Sequence, residues 1–252
     1  PYPQKPLSSQ KIKKILKEIA DAGCIFLTLT GGECIIREDF KELYSIAAEL
    51  GFKISLYTNG STCSKDLIDL LKKYPPRKVD VSLLGFSSVT YKKITGHANA
   101  FKKVKNTVKT LQSNGFNVVV KMIIMRSNVH EYEQMLQWID EQKLPVMMDT
   151  NIIPSRTRGR TPLCERLSID EIIEFERNLT GFIEKIEKRL ENSKNLFAGQ
   201  PYKMWKCYAG LSSFYIDFMG RCYICPIFID NFYDLNEFTF SDIWWNKFPV
   251  LI

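Results

Sequence analysis

Cys24-Ile-Phe-Leu-Thr-Leu-Thr-Gly-Gly-Glu33 is the stretch whose reading decides the fold. Seven residues, mostly apolar or β-branched, run without helical spacing and stop at a glycine pair followed by a carboxylate. Such a run, bounded by turn residues, is a buried strand delivering its polar end to a sheet edge. Before it, Lys11–Ala22 places Ile12, Ile15, Leu16, Ile19 and Ala20 on one helical face, with Ser8 or Ser9 as N-cap and Gly23 as the stop. After it the pattern repeats, with helices over 39–50, 64–73, 100–113 and 129–142 and strands over 52–58, 78–84, 116–125 and 145–152.

Helices alternating with five strands predict parallel pairing through crossovers. The strands are apolar through much of their length, as strands covered on both faces tend to be. A partial or full barrel and an open doubly wound sheet both fit, and both collect function at the carboxyl ends of their strands. There the second strand ends in Tyr57-Thr58-Asn59-Gly60, and the third, Val79-Asp-Val-Ser-Leu-Leu-Gly85, in a serine and a glycine. Three successive strands thus put polar or glycine residues on one rim, as a single ligand lying across it requires. Taken alone, Gly31-Gly32-Glu33 suits either a ligand ammonium or a turn with a solvated carboxylate.

The chemistry of the chain is bounded by its composition: 45% hydrophobic, 25% charged and 12% aromatic residues describe a globular chain of 252 residues. The net charge of +7 is spread too evenly to name a nucleic-acid partner. A solvated lysine-rich surface, an acidic peptide or an anionic small molecule all suit it. With no apolar run near the ~20 residues that span a bilayer and no signal-peptide pattern at Pro1, a cytoplasmic protein without membrane contact is expected. Beyond residue 152 come an arginine-rich loop, a charged helix over 168–193 and, from about 200, an aromatic, cysteine-rich segment. Of seven cysteines, Cys207, Cys222 and Cys225 fall within nineteen residues. A hairpin of strands 212–218 and 221–225, turned at Gly220, would bring thiolates together for iron or for zinc. Cys24, Cys34, Cys63 and Cys164 read as ordinary core or surface thiols.

These motifs together resemble the radical S-adenosylmethionine superfamily. Gly31, Gly32 and Glu33 match its Gly-Gly-Glu element, and the resemblance runs on through Leu56–Gly60, Ser82–Gly85, Tyr91–Gly96 and Lys121 with Asn128. It implies an α/β fold, a partial (β/α)6 TIM-like barrel over 1–197, followed over 198–252 by the start of a small cysteine-rich α+β auxiliary domain of the SPASM or twitch type. It implies S-adenosylmethionine bound by Gly31, Gly32, Glu33, Thr58, Asn59, Ser82 and Lys121. Cys207 and Cys225 would bind an auxiliary 4Fe–4S cluster, with Cys222 as a further candidate. The segment Phe240-Ser-Asp-Ile-Trp-Trp-Asn246 also resembles that domain, and Asn151–Leu163 resembles peptide maturases. The implied activity is generation of a 5′-deoxyadenosyl radical to modify a ribosomal peptide or protein, by thioether or carbon–carbon crosslinking, with a flavodoxin- or ferredoxin-type electron donor. The family's Cys-x3-Cys-x2-Cys, ligand of its radical-generating 4Fe–4S cluster, does not occur in the sequence. The first strand and cluster loop are therefore expected ahead of Pro1, and further cluster ligands beyond Ile252. The competing expectation is a non-catalytic scaffold of the same fold, or a zinc-binding one.

Overall fold

The computed structural model describes residues 6–155, 159–179 and 207–251. Helix α1, Ser9–Asp21, is capped by Ser8, whose hydroxyl accepts from Lys11 N at 3.3 Å, and it buries Ile15, Leu16 and Ile19. Five strands follow, each reached through helical chain: β1 Phe26–Leu29, β2 Lys53–Thr58, β3 Lys78–Leu83, β4 Val118–Ile123 and β5 Val146–Asp149. The intervening helices are α2 Phe40–Glu49, α3 Lys65–Lys73, α4 Ser88–Thr95, α5 Ala100–Ser113 and α6 Tyr132–Glu141, with α7 Ile169–Arg177 after the last strand.

All neighbouring strands of this sheet pair in parallel, in the order β1-β2-β3-β4-β5. A doubly wound sheet reverses direction at a switch point; a sequential order is what a barrel, or an arc of one, requires. The partial-barrel expectation therefore holds over the doubly wound one. The described arc contains five strands.

The cross-strand register puts Ile54, Leu56, Val79, Val81, Val118, Val120 and Met122 on one face, where Leu56, Val81 and Val120 are wholly buried under the helices. Burial of each such side chain stabilises by roughly 1.5–3 kcal/mol. The opposite face carries Thr28, Ser55, Tyr57, Asp80, Ser82, Lys121 and Asp149. The expectation of strands apolar through much of their length and covered on both faces is thus corrected. The run expected as a buried strand over 24–30 forms β1 at the sheet edge, with Ile25 and Phe26 exposed, and the inner face of the central strands is polar, buried at Ser55 and Asp80 and half-buried at Tyr57, Ser82 and Lys121.

Three further differences have local causes. Helix α4 was not anticipated, because it buries only Thr90 and Tyr91 and leaves Val89 exposed, too weak a stripe to read. The helix expected over 168–193 is seen as α7, which starts from a Ser168–Glu171 capping box and ends at Arg177; residues 180–193 lie outside the described ones. The expected hairpin is shorter, β6 Tyr215–Ile216 with β7 Arg221–Tyr223, and gains an antiparallel third strand, β8 Tyr233–Asp234. This small sheet rests on α1 and the segment before it. Leu7 N donates to Phe218 O at 2.9 Å, Phe240 N donates to Glu18 Oε2 at 2.7 Å, and Lys11 Nζ donates to Leu235 O. The boundary expected at 197/198 falls among residues outside the described set.

Candidate functional site

The rim residues named from the sequence do converge, and Glu33 is their hub. It caps the short 3-10 turn Cys34–Ile36, accepting from Ile35 N at 3.3 Å. Its other oxygen accepts from the Thr58 hydroxyl at 2.8 Å and from Asn59 N at 2.7 Å. Glu33 thus staples the end of β1 to the end of β2. Each carboxylate oxygen has two lone pairs, so the oxygen that meets Thr58 and Asn59 is filled and about one acceptor site, on the oxygen facing Ile35 N, remains for a ligand. Gly31 and Gly32 stand exposed beside it, Gly31 at φ 147°, with open space where a side chain would project. Burial and then the Glu33 charge push the neighbouring Cys34 thiol up to about 12, so it remains a thiol and donates weakly to Tyr57 O at 3.7 Å.

The turn after β2 is fixed from below. Thr58 Oγ1 accepts from Gly60 N at 3.1 Å, Asn59 Oδ1 accepts from Ser61 N at 2.8 Å, and Thr107 of α5 donates to Gly60 O at 2.9 Å. The ends of β3 and β4 are held by two buried residues whose clamping role has no local signature in the sequence. Asn128 donates to Leu84 O at 3.1 Å and Ile123 O at 2.9 Å while accepting from Met125 N. Glu131 accepts from Phe86 N and from the Ser87 and Thr90 hydroxyls. Burial alone would raise the Glu131 carboxyl, but those hydrogen bonds and nearby His130 bring it below the usual carboxylate range.

Ser82 and Lys121 are directly opposed in register, both half-buried on the inner face. The Lys121 ammonium sits 4.0 Å from the centroid of the Tyr57 ring and has no carboxylate or hydrogen-bond partner among the described residues. An ammonium beside an aromatic ring is attracted by the ring's quadrupole, and its N–H donors are left for a ligand. The donor set fits an amino-acid zwitterion with an attached sugar. Lys121 would meet its carboxylate, Glu33 and the exposed glycine backbone its ammonium, and Ser82 a sugar hydroxyl.

The cysteines do not form an equivalent centre. Among the described residues no three His, Cys, Asp or Glu side chains gather as metal ligands. Cys207 is exposed, Cys225 is half-buried with its Sγ accepting from Ile227 N at 3.4 Å, and Cys222 is wholly buried on β7. Burial and the Asp217 charge push the Cys222 thiol up to about 12. The described residues therefore neither complete an auxiliary cluster nor, without a Cys-x3-Cys-x2-Cys, supply the ligands of a reducing one.

Comparison with known proteins gives this geometry its context. Residues 1–139 match the family model of the Radical SAM superfamily. The chain is 31% identical over 137 residues to the sporulation killing factor maturation protein SkfB of Bacillus subtilis, covering 54% of the chain and 33% of the relative. It is 24% identical over 252 residues to the antilisterial bacteriocin subtilosin biosynthesis protein AlbA of the same organism, covering 97% and 52%. It superposes on Streptococcus suis SuiB bound to its precursor peptide SuiA with a TM-score of 0.73 and 16% identity, covering 97% of this chain and 59% of that one. The chain thus spans about a third to a half of the curated relatives it matches. None of its described helices is long and apolar enough to cross a membrane.

Proposed function

The chain belongs to the radical S-adenosylmethionine superfamily, and on that premise we propose that it binds S-adenosylmethionine across the rim formed by Gly31–Glu33, Thr58, Asn59, Ser82 and Lys121, as part of an enzyme that modifies a ribosomal peptide. Membership brings S-adenosylmethionine and a 4Fe–4S cluster as the family's cofactors, and together these supply radical chemistry when bound. The part this chain plays is to bind and orient. Glu33 and the glycine pair take the ammonium, Lys121 the carboxylate and Ser82 a ribose hydroxyl. The Asn128 and Glu131 clamps hold the β3 and β4 ends that carry the last two groups.

The observation that carries this is the unpaired Lys121 ammonium facing Ser82 one strand from the Glu33 staple. The peptide substrate is supported by relatives named for maturation of a killing factor and biosynthesis of a bacteriocin, and by the structural neighbour bound to a precursor peptide. We place the activity in the cytoplasm, with a flavodoxin- or ferredoxin-type donor, and divide the chain at 197/198 into barrel and auxiliary domain. Cys207 and Cys225 are assigned to the auxiliary cluster, completed by groups outside the described residues.

Calorimetric titration of S-adenosylmethionine tests the site. Lys121→Met removes a charge-assisted hydrogen bond worth about 1.5–3 kcal/mol, so affinity should fall by about ten- to a hundredfold. Unchanged affinity in that variant places the ligand elsewhere.

A further inference from the structure

The inner face of the sheet holds a buried carboxylate that neither the ligand set nor the core packing uses. Asp80, in the middle of β3, is 1% exposed. Its Oδ2 accepts from Lys78 Nζ at 2.8 Å, whereas Oδ1 is buried with no donor at hydrogen-bonding geometry among the described residues, the Tyr57 phenol being the polar group that interacts with the carboxylate from β2. An acceptor left so is costly, and a charged one more so. A carboxylate kept only to hold the fold would have both oxygens met, as Glu131 has.

Its neighbours show what it faces. On β2 the register partner is Tyr57, with Ser55 beside Lys78; on β4 the partner is Val119, one step below Lys121. Two cations approach the Tyr57 ring, the Lys121 ammonium at 4.0 Å from its centroid and the Lys78 ammonium at 5.6 Å. Burial and then the Asp80 charge push the Tyr57 phenol up, so it stays protonated; Lys78 and Arg77 oppose that push.

We propose that Asp80 is a positioning residue for the ligand site, which engages Lys78 below the rim and holds Tyr57, so that Lys121 stays the nearer cation to the ring, free to meet a ligand carboxylate. Without the Asp80 charge, Lys78 is released to compete for the same ring and for the same anion. Asp80 thus acts through Lys121 and touches no ligand. This rests on the S-adenosylmethionine reading above, and it adds a residue of the inner layer to a site otherwise built at the strand ends.

The test is a double-mutant cycle on the purified protein, with S-adenosylmethionine as the probe and each titration run well below the variant's melting temperature. Asp80→Asn keeps the shape and drops the charge; it should weaken binding about fivefold, within the coupling range of residues in contact. In a Lys121→Met background the same change should alter binding by less than about twofold, because the residue it acts through is gone. The pair Lys78→Met with Asp80→Asn leaves no lone buried charge and serves if the single variant does not fold. An unchanged affinity in Asp80→Asn, or an equal loss in both backgrounds, overturns the proposal. Ultraviolet titration of the phenols gives a readout independent of the ligand, since Asp80→Asn should lower the midpoint of one tyrosine. If the wild-type protein binds no S-adenosylmethionine, the ligand reading falls. The phenol titration then decides the Asp80–Tyr57 link by itself: a lowered midpoint upholds it and an unmoved one overturns it.

Discussion

Gly60→Ala is the substitution whose consequence the structure fixes most closely. Gly60 adopts φ 69°, and a Cβ there would lie 3.1 Å from Val81 Cγ1 and 3.3 Å from both Val104 Cα and Cγ2. Left-handed backbone costs a non-glycine residue about 1–2 kcal/mol, and forcing a methyl into a packed core about 1–3 kcal/mol more. The backbone contact at Val104 Cα cannot be relieved by a rotamer change, so the second cost should be felt in full. At roughly 2–4 °C per kcal/mol for a chain of this size, Gly60→Ala should melt about 4–20 °C lower than wild type.

The control is Gly96→Ala. Gly96 has φ 79° at the end of α4, but a methyl there would project into open space, with no atom of another residue within 4 Å. Its cost should stop at the backbone value, about 1–2 kcal/mol or roughly 2–8 °C. The two variants also part in function. Relief of the Gly60 clash must move the turn whose Thr58 and Asn59 bond Glu33, so ligand affinity should fall in Gly60→Ala and stay unchanged in Gly96→Ala. Calorimetric melting and ligand titration of the pair check both parts. A Gly60→Ala variant that melts no lower than Gly96→Ala would refute the close-contact argument.

Two further outcomes follow from single residues. Hydrogen bonds from Arg37 hold the Asp39 carboxyl at about 2, against roughly 3.9 in an unfolded chain, with the Ser9 hydroxyl adding to the effect. Its contribution is therefore present above about pH 4 and lost as pH falls towards 2, so Asp39→Asn should flatten the stability curve in that window of a chemical-denaturation series. For the small sheet, Cys225→Ala should lower bound iron in protein purified without oxygen. Cys222→Ser should leave iron unchanged but destabilise by about 1–3 kcal/mol, because it buries a hydroxyl without an assured partner. Iron lost on changing Cys222 instead would reverse the roles of the two cysteines.

The parallel strands and the rim were legible in the sequence because both rest on local patterns, whereas the strand order, which separates a barrel from a doubly wound sheet, was not. An apolar run that breaks at Gly31, at Asn59-Gly60 or at Gly85 marks a strand end wherever the strand lies, and crossovers of helical length force the strands parallel. Helix α4 was not legible because its stripe is two residues wide. The role of Glu33 was half legible. Its neighbours in sequence point to a ligand, but the Thr58 hydroxyl and Asn59 N that occupy one of its oxygens come from 25 and 26 residues away, across a strand pair. The same distance hid Glu131, whose partners Phe86, Ser87 and Thr90 lie more than forty residues earlier. The cysteine hairpin was legible as a turn at Gly220 but not in its side-chain directions. In a strand, neighbours point to opposite faces, and the alternation that carries Cys222 into the core leaves Cys225, beyond the end of β7, to the partly exposed side.

That same period of two gives the inner face its meaning. In Val79-Asp80-Val81-Ser82-Leu83 the three apolar residues are buried beneath the helices, which obliges Asp80 and Ser82 to point the other way. One cross-strand step away, Val120 and Met122 impose the same choice on Lys121, and Leu56 imposes it on Tyr57. The packing that stabilises the sheet and the placement of its polar groups are therefore one constraint. A one-residue slip in β3 would exchange Asp80 and Ser82 for valines on the inner face and sink a carboxylate among the helices, at a cost no single hydrogen bond offsets. Hydrophobic burial on the outer face thus holds Ser82, Lys121 and Tyr57 in register without any side-chain hydrogen bond between them. It leaves the Lys121 ammonium beside the Tyr57 ring with no anionic partner among the described residues, where an anionic group of a ligand can reach it.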